Sequence, residues 1–189
     1  MKKIYIITTY TGTFLSRLIT KSKQTPYAHV SISLKDNLKP MYSFGRLHPN
    51  TPIFAGFVEE YINQGLYKNK PNTKCRVYSL EVSDEQYYEL QNNINYISEN
   101  RKKYKYDSTG LIFLYFNKKR KLDHKYVCSN FVADMLQKSG INLFVKEASL
   151  IIPEDYFDAK GLSLEYEGLL CDFYKNRKLL YKKNNTNAG

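Results

Sequence analysis

Cysteine is scarce in this chain of 189 residues: there are three, Cys75, Cys128 and Cys171, with no paired spacing. So odd and sparse a count argues against a disulfide framework and against a zinc site, and it fits a reducing compartment. Long apolar runs are missing too. The opening MKKIYIITTYTGTF offers only Ile4, Tyr5, Ile6 and Ile7 before threonines intervene, too short for the apolar core of a signal peptide. No stretch reaches the roughly 18 apolar residues of a membrane span. These absences lead us to expect a cytoplasmic chain without a transmembrane segment. Repeats and interdomain linkers are lacking as well, so one domain over residues 1–181 is expected, ending in the polar tail KKNNTNAG (182–189), which has nothing to bury. A chain of this length hides about 70% of its unfolded surface without staples.

Acidic residues are also few. Eighteen Asp and Glu stand against 29 Lys and Arg, a net charge of +11. An excess of that size favours an anionic surface or substrate. The charge is spread over RKKYK (101–105), NKKRK (117–121), KNRK (175–178) and the tail, a pattern that solvated faces also produce. Nucleic acid is accordingly the less favoured partner.

What is present is a periodic pattern. IYIITT (4–9) reads as a short buried strand, and TFLSRLIT (13–20) as a short helix. In AHVSISL (28–34), Ala28, Val30, Ile32 and Leu34 alternate with His29, Ser31 and Ser33, so this is a strand with one apolar face. PMYSFGR (40–46) returns as its antiparallel partner. Residues 49–74 hold three of the six prolines and read as an irregular insertion, with a short helix around FVEEYIN. CRVYSLEV (75–82) is a further strand. SDEQYYELQNNINYISENR (83–101) is a helix, with Ser83 and Gln86 in capping-box positions. GLIFLYF (110–116) is fully apolar and buried. IIPEDYF (151–157) turns at its proline, and LSLEYEG (162–168) is a last strand. The sum is one α+β domain.

Within KYVCSNFVADMLQKSG (125–140), Phe131, Val132, Met135 and Leu136 fall on one helical stripe, and Gly140 marks the helix end. Cys128 lies at the first turn, on the buried side. A thiolate at a helix N-terminus gains from unpaired N–H groups and from the positive end of the helix dipole. The same N–H groups can hold the oxyanion of an acyl-transfer intermediate. A buried cysteine can equally be inert filler. A nucleophilic thiol needs a base. His48, in RLHPN, and His124, in KLDHK, sit in loop-like and charged surroundings, whereas His29 projects from a strand beside small residues. Small neighbours leave room for another element to approach the imidazole, unless that face simply meets water.

Taken in order, YAHVSISL (27–34) and YVCSNFVADML (126–136) resemble the histidine strand and the nucleophile helix of the circularly permuted, YiiX-like branch of the papain-like NlpC-type cysteine hydrolases. GTFLSRLI, YKYDSTGL (104–111) and IIPEDYF extend the resemblance over roughly residues 4–157, with 50–75 unmatched. The resemblance implies an antiparallel sheet packed on helices, with Cys128 as nucleophile and His29 as base and then acid. It also implies that Tyr106 donates its hydroxyl to the oxyanion. The residue orienting the histidine, placed on the following strand, would be Ser43, with His48 or a backbone carbonyl as substitutes. No cofactor or metal is implied. The substrate class would be a peptide, isopeptide or lipid amide or ester. The competing expectation is a non-catalytic module of the same fold that binds nucleic acid or an anionic surface, using aromatics among basic residues as in RKKYKY.

Overall fold

The computed structural model describes residues 1–11, 27–48, 51–107, 123–173 and 175, with the backbone alone given for 48 and 51–54. The expected helix at 13–20, the apolar run at 110–116 and the tail fall outside the described residues.

Strand β1 (Lys2–Tyr10) lies at the middle of the fold because it is apolar on both faces. It pairs antiparallel with β2 (His29–Ser33) on one side and β5 (Lys74–Val82) on the other. β2 pairs with β3 (Met41–His48) through Ile32 and Tyr42, and β3 pairs with β4 (Thr51–Glu60). β8 (Ser163–Leu169) closes the far edge against β5. Six antiparallel strands in the order β4-β3-β2-β1-β5-β8 result.

Both faces of this sheet are covered. Alternation sends Ile4, Ile6, Val30, Ile32 and Phe44 to one face. There they meet Leu90, Ile94 and Ile97 of helix α2 (Asp84–Glu99) and the stripe of helix α3 (Cys128–Lys138), namely Phe131, Val132, Met135 and Leu136. Each such side chain taken fully out of water contributes about 1.5–3 kcal/mol. The opposite face, with Tyr5, Ile7, Met41, Cys75 and Val77, is covered by Leu38, Ile62, Leu170 and Phe173 and by Tyr67 of a one-turn helix, α1 (Gly65–Asn69).

The capping box of α2 is formed as expected: Ser83 Oγ accepts from Gln86 N at 3.1 Å, and Gln86 Oε1 accepts from Ser83 N at 3.0 Å. Gln86 Nε2 also donates to the Gly140 carbonyl (2.9 Å), fastening the start of α2 to the end of α3. Gly140 has φ 71°, the left-handed conformation that ends a helix at low cost in glycine. Two-residue strands β6 (Lys105–Tyr106) and β7 (Lys125–Tyr126) form a separate parallel pair just ahead of α3. A 3₁₀ turn spans Pro153–Tyr156. No helix among the described residues is long and apolar enough to cross a membrane.

Residues 49–74 depart from expectation. The segment contains a ten-residue edge strand, β4, and FVEEYIN runs as strand through Glu60 rather than as helix. An edge strand needs its N–H groups on one side only, so Pro52 near its start is tolerated. The strong hydrophobic pairing of Phe44 with Phe57 then fixes the hairpin register.

Candidate active site

His29 opens β2, 21% exposed at its side chain, and its Nε2 lies 2.9 Å from Oε1 of Glu60, the last residue of β4. A carboxylate can only accept, so Nε2–H donates and Nδ1 is left for another partner. Cys128 lies near enough to act on the ring through its side chain and its charge. Burial disfavours the imidazolium. The Glu60 charge, with hydrogen bonds to Cys128 and Glu60, outweighs that cost and raises the His29 pKa well above its ordinary value.

The reach from β2 to β4 crosses β3, and the crossing point is a glycine. Continued along the strands, the Ile32–Tyr42 pairing brings Gly45 opposite His29. A Cβ at Gly45 would sit 3.4 Å from His29 Cε1 and 3.8 Å from Glu60 Oε1. The bare backbone of Gly45 thus leaves the width that an imidazole and a carboxylate need to meet. Ser31 and Ser43, both buried on this face, keep the rest of the gap open.

Ser43 does not orient the histidine. Its Oγ donates to the Val30 carbonyl at 2.6 Å, and Glu60 holds the position expected for it. A seryl oxygen satisfied by backbone has no hydrogen-bonding need for the imidazole, whereas a carboxylate gains a charge-assisted bond there. The carboxylate comes from the second strand after the histidine rather than the next one. His48 ends β3 in pairing with Thr51. The face of His29, Ser31 and Ser33 is not a solvated one either: both serines are buried and His29 is only partly exposed.

Cys128 is 5% exposed and is the first residue of α3. The preceding Val127 carries no side-chain oxygen, and no side chain caps the helix start. The side chain of Asn130 instead accepts from Val127 N at 2.8 Å. The N-cap side chain therefore offers the first-turn N–H groups no acceptor, and the partial positive charge of this helix end favours a thiolate at Cys128. Ser129 anchors the turn from behind: its Oγ donates to the Ile151 carbonyl (2.6 Å), and its own carbonyl accepts from Tyr156 Oη (2.7 Å).

Tyr106 reaches the same place by the β6–β7 pairing. It stands beside Tyr126, two residues ahead of Cys128, and Asp107 N donates to the Tyr126 carbonyl at 2.9 Å. Burial, then the nearby Cys128 charge, raises the Tyr106 pKa, so its hydroxyl keeps its proton and can donate. Tyr156 is raised by the same two causes. Thus His29, Cys128 and Tyr106 lie together, and Glu60 completes the group. The other thiols differ. Cys75 is fully buried, which pushes its pKa up to about 12, with Cys171 and Glu167 adding to the effect. A cavity of about 410 Å³ lies between Tyr104, His124, Tyr126 and Lys138, and its lining includes neither Cys128 nor His29. Among the described residues, no three His, Cys, Asp or Glu side chains converge as a metal site.

Compared with known proteins, the chain matches no family model and no curated protein.

Proposed function

We propose that this chain is a cysteine hydrolase or acyltransferase that attacks an amide or ester through a Cys128 thioester. We further propose that its sheet and nucleophile helix are a circularly permuted papain-like, NlpC-type arrangement. One observation supports this above all: an imidazole held between a carboxylate and a thiol, with the thiol at an uncapped helix start. This is the nucleophile, base and orienting-group logic of covalent acyl transfer.

In the proposed reaction Cys128 Sγ, having passed its proton to His29 Nδ1, attacks the carbonyl carbon. A C–S bond forms and the carbonyl π pair moves to oxygen. That oxyanion accepts from the Cys128 N–H and from Tyr106 Oη, donors aimed where charge develops. When the intermediate collapses, the C–N or C–O bond breaks and Nδ1–H protonates the leaving amine or alkoxide. Water, or another nucleophile, then gives its proton to Nδ1 and attacks the thioester, which returns the sulfur. Glu60 remains a carboxylate throughout and stabilises the imidazolium formed in each half. The substrate we infer is a peptide, isopeptide or lipid amide or ester, and the net charge of +11 favours one that is anionic or held at an anionic surface.

The test is selective trapping. Iodoacetamide near neutral pH should modify Cys128 well before Cys75 and Cys171, and His29→Ala should slow that reaction. An acyl adduct on Cys128, caught by mass spectrometry after incubation with peptide and lipid ester panels, would define the substrate class. Equal, slow labelling of all three thiols would refute the nucleophile. A nucleic-acid affinity falling steeply with salt would then favour the binding-module reading.

A further inference from the structure

Glu60 uses one oxygen on His29; the other is held from two sides. Oε2 accepts from Ser31 Oγ at 2.5 Å and from Tyr67 Oη at 3.4 Å. Tyr67 Oη has one proton. Having donated it to the carboxylate, it can accept from Thr9 Oγ1, 3.4 Å away. A hydrogen-bonded chain thus links Thr9, Tyr67, Glu60 and His29, with Tyr67 and His29 both donating to the carboxylate, and it starts on β1 and passes through α1. Ser31 and Thr9 are fully buried, and Tyr67 is 5% exposed. Burial, and then the Glu60 charge, raises the Tyr67 pKa well above the ordinary tyrosine value, so it stays a donor across the working pH range.

We propose that Ser31 and Tyr67 are positioning residues for the Glu60–His29 pair: their hydroxyls fix Oε2 so that Oε1 faces Nε2. Tyr67 thereby makes the segment after β4 a working part of the site. This deepens the thiol-nucleophile reading and rests on it. A carboxylate free to rotate about its terminal torsion would share its time between His29 and solvent, because that torsion is broad and twofold. Two charge-assisted bonds on one oxygen remove that freedom. The groups acting on this cluster are His29, Cys128 and Tyr67, with Cys75 acting on Tyr67 and with Tyr106 and Tyr156 beside Cys128; Arg46 in turn acts on Tyr106.

The experiment is the pH profile of Cys128 alkylation in the full chain, read peptide by peptide with iodoacetamide. Ser31→Ala and Tyr67→Phe are each expected to slow Cys128 labelling at pH 6.5 by about three- to tenfold and to move the acid limb of the profile upward. Rates should converge with wild type near pH 9.5. Ser31→Ala should have the larger effect, because its bond is shorter. In a Glu60→Gln background neither substitution should add more than about twofold, since the oriented charge is already gone. A purely structural role would lower Tm, leave the profile in place and persist without the carboxylate, and that outcome overturns the proposal. Should Tyr67→Phe fail to fold, Ser31→Ala carries the test alone. If wild-type Cys128 labels no faster than Cys171, the nucleophile reading falls and this proposal falls with it. Fast wild-type labelling with unchanged variant profiles rejects the positioning role alone.

Discussion

Replacing Glu60 with glutamine keeps the shape of the His29 partner and removes its charge. The pair meets at 2.9 Å, and its side chains are 21% and 13% exposed, so some solvent screening applies. At an effective dielectric constant near 20, two unit charges about 4 Å apart interact by about 4 kcal/mol. Hydrogen bonds to charged groups contribute about 1.5–3 kcal/mol net. Taking about 2 kcal/mol as the share lost, the His29 pKa falls in Glu60→Gln. Burial, which already opposes the imidazolium, is left with less to offset it. The alkylation rate of Cys128 at pH 6.5 to 7 should then drop by up to about thirtyfold, the rate equivalent of about 2 kcal/mol. Cys171, elsewhere in the chain, serves as the internal reference in the same digest. Imidazole NMR gives an independent reading: the His29 titration should move to lower pH in the variant than in wild type. Cys128 labelling within twofold of wild type, with an unmoved His29 titration, would refute the electrostatic reasoning.

Four further outcomes are expected. Gly45→Val places methyl groups where a Cβ already touches both His29 and Glu60, and should slow Cys128 alkylation at least as much as Glu60→Gln; Gly45→Ala should cost far less. Cys75, with its pKa near 12 and no exposure, should stay unlabelled at pH 8 until urea unfolds the chain, as peptide mass spectrometry would show. Phe44→Ala, beneath Tyr126, Phe57 and Phe131, should destabilise by about 3–5 kcal/mol in urea titration. Because the folded-state pKa of His29 is raised, its stabilising contribution is complete below about pH 6.5 and disappears as pH climbs through the raised value. The stability gap between wild type and Glu60→Gln should therefore narrow from pH 6.5 toward pH 10.

The parts legible in the amino-acid pattern were those with a period or a cap. The alternation of 28–34 marked β2, and the Ser83–Gln86 box marked α2, because each is a local rule that packing did not have to override. The stripe of 131–136 placed Cys128 at the start of α3. Glu60 was hidden for the opposite reason. Pro49, Pro52 and Pro71 made its surroundings look irregular, and the edge position of β4 makes Pro52 compatible with a strand. The meeting of Tyr106 with Tyr126 rests on a pair of two-residue strands, too short to leave a periodic mark.

A methyl-free position between an imidazole and a carboxylate also makes a ruler. Stepping residue 45 from glycine through alanine to valine would widen the separation of the two charged partners by increments, without substituting either. The relation between acid–base strength and distance could then be measured in a protein whose chemistry is otherwise unaltered.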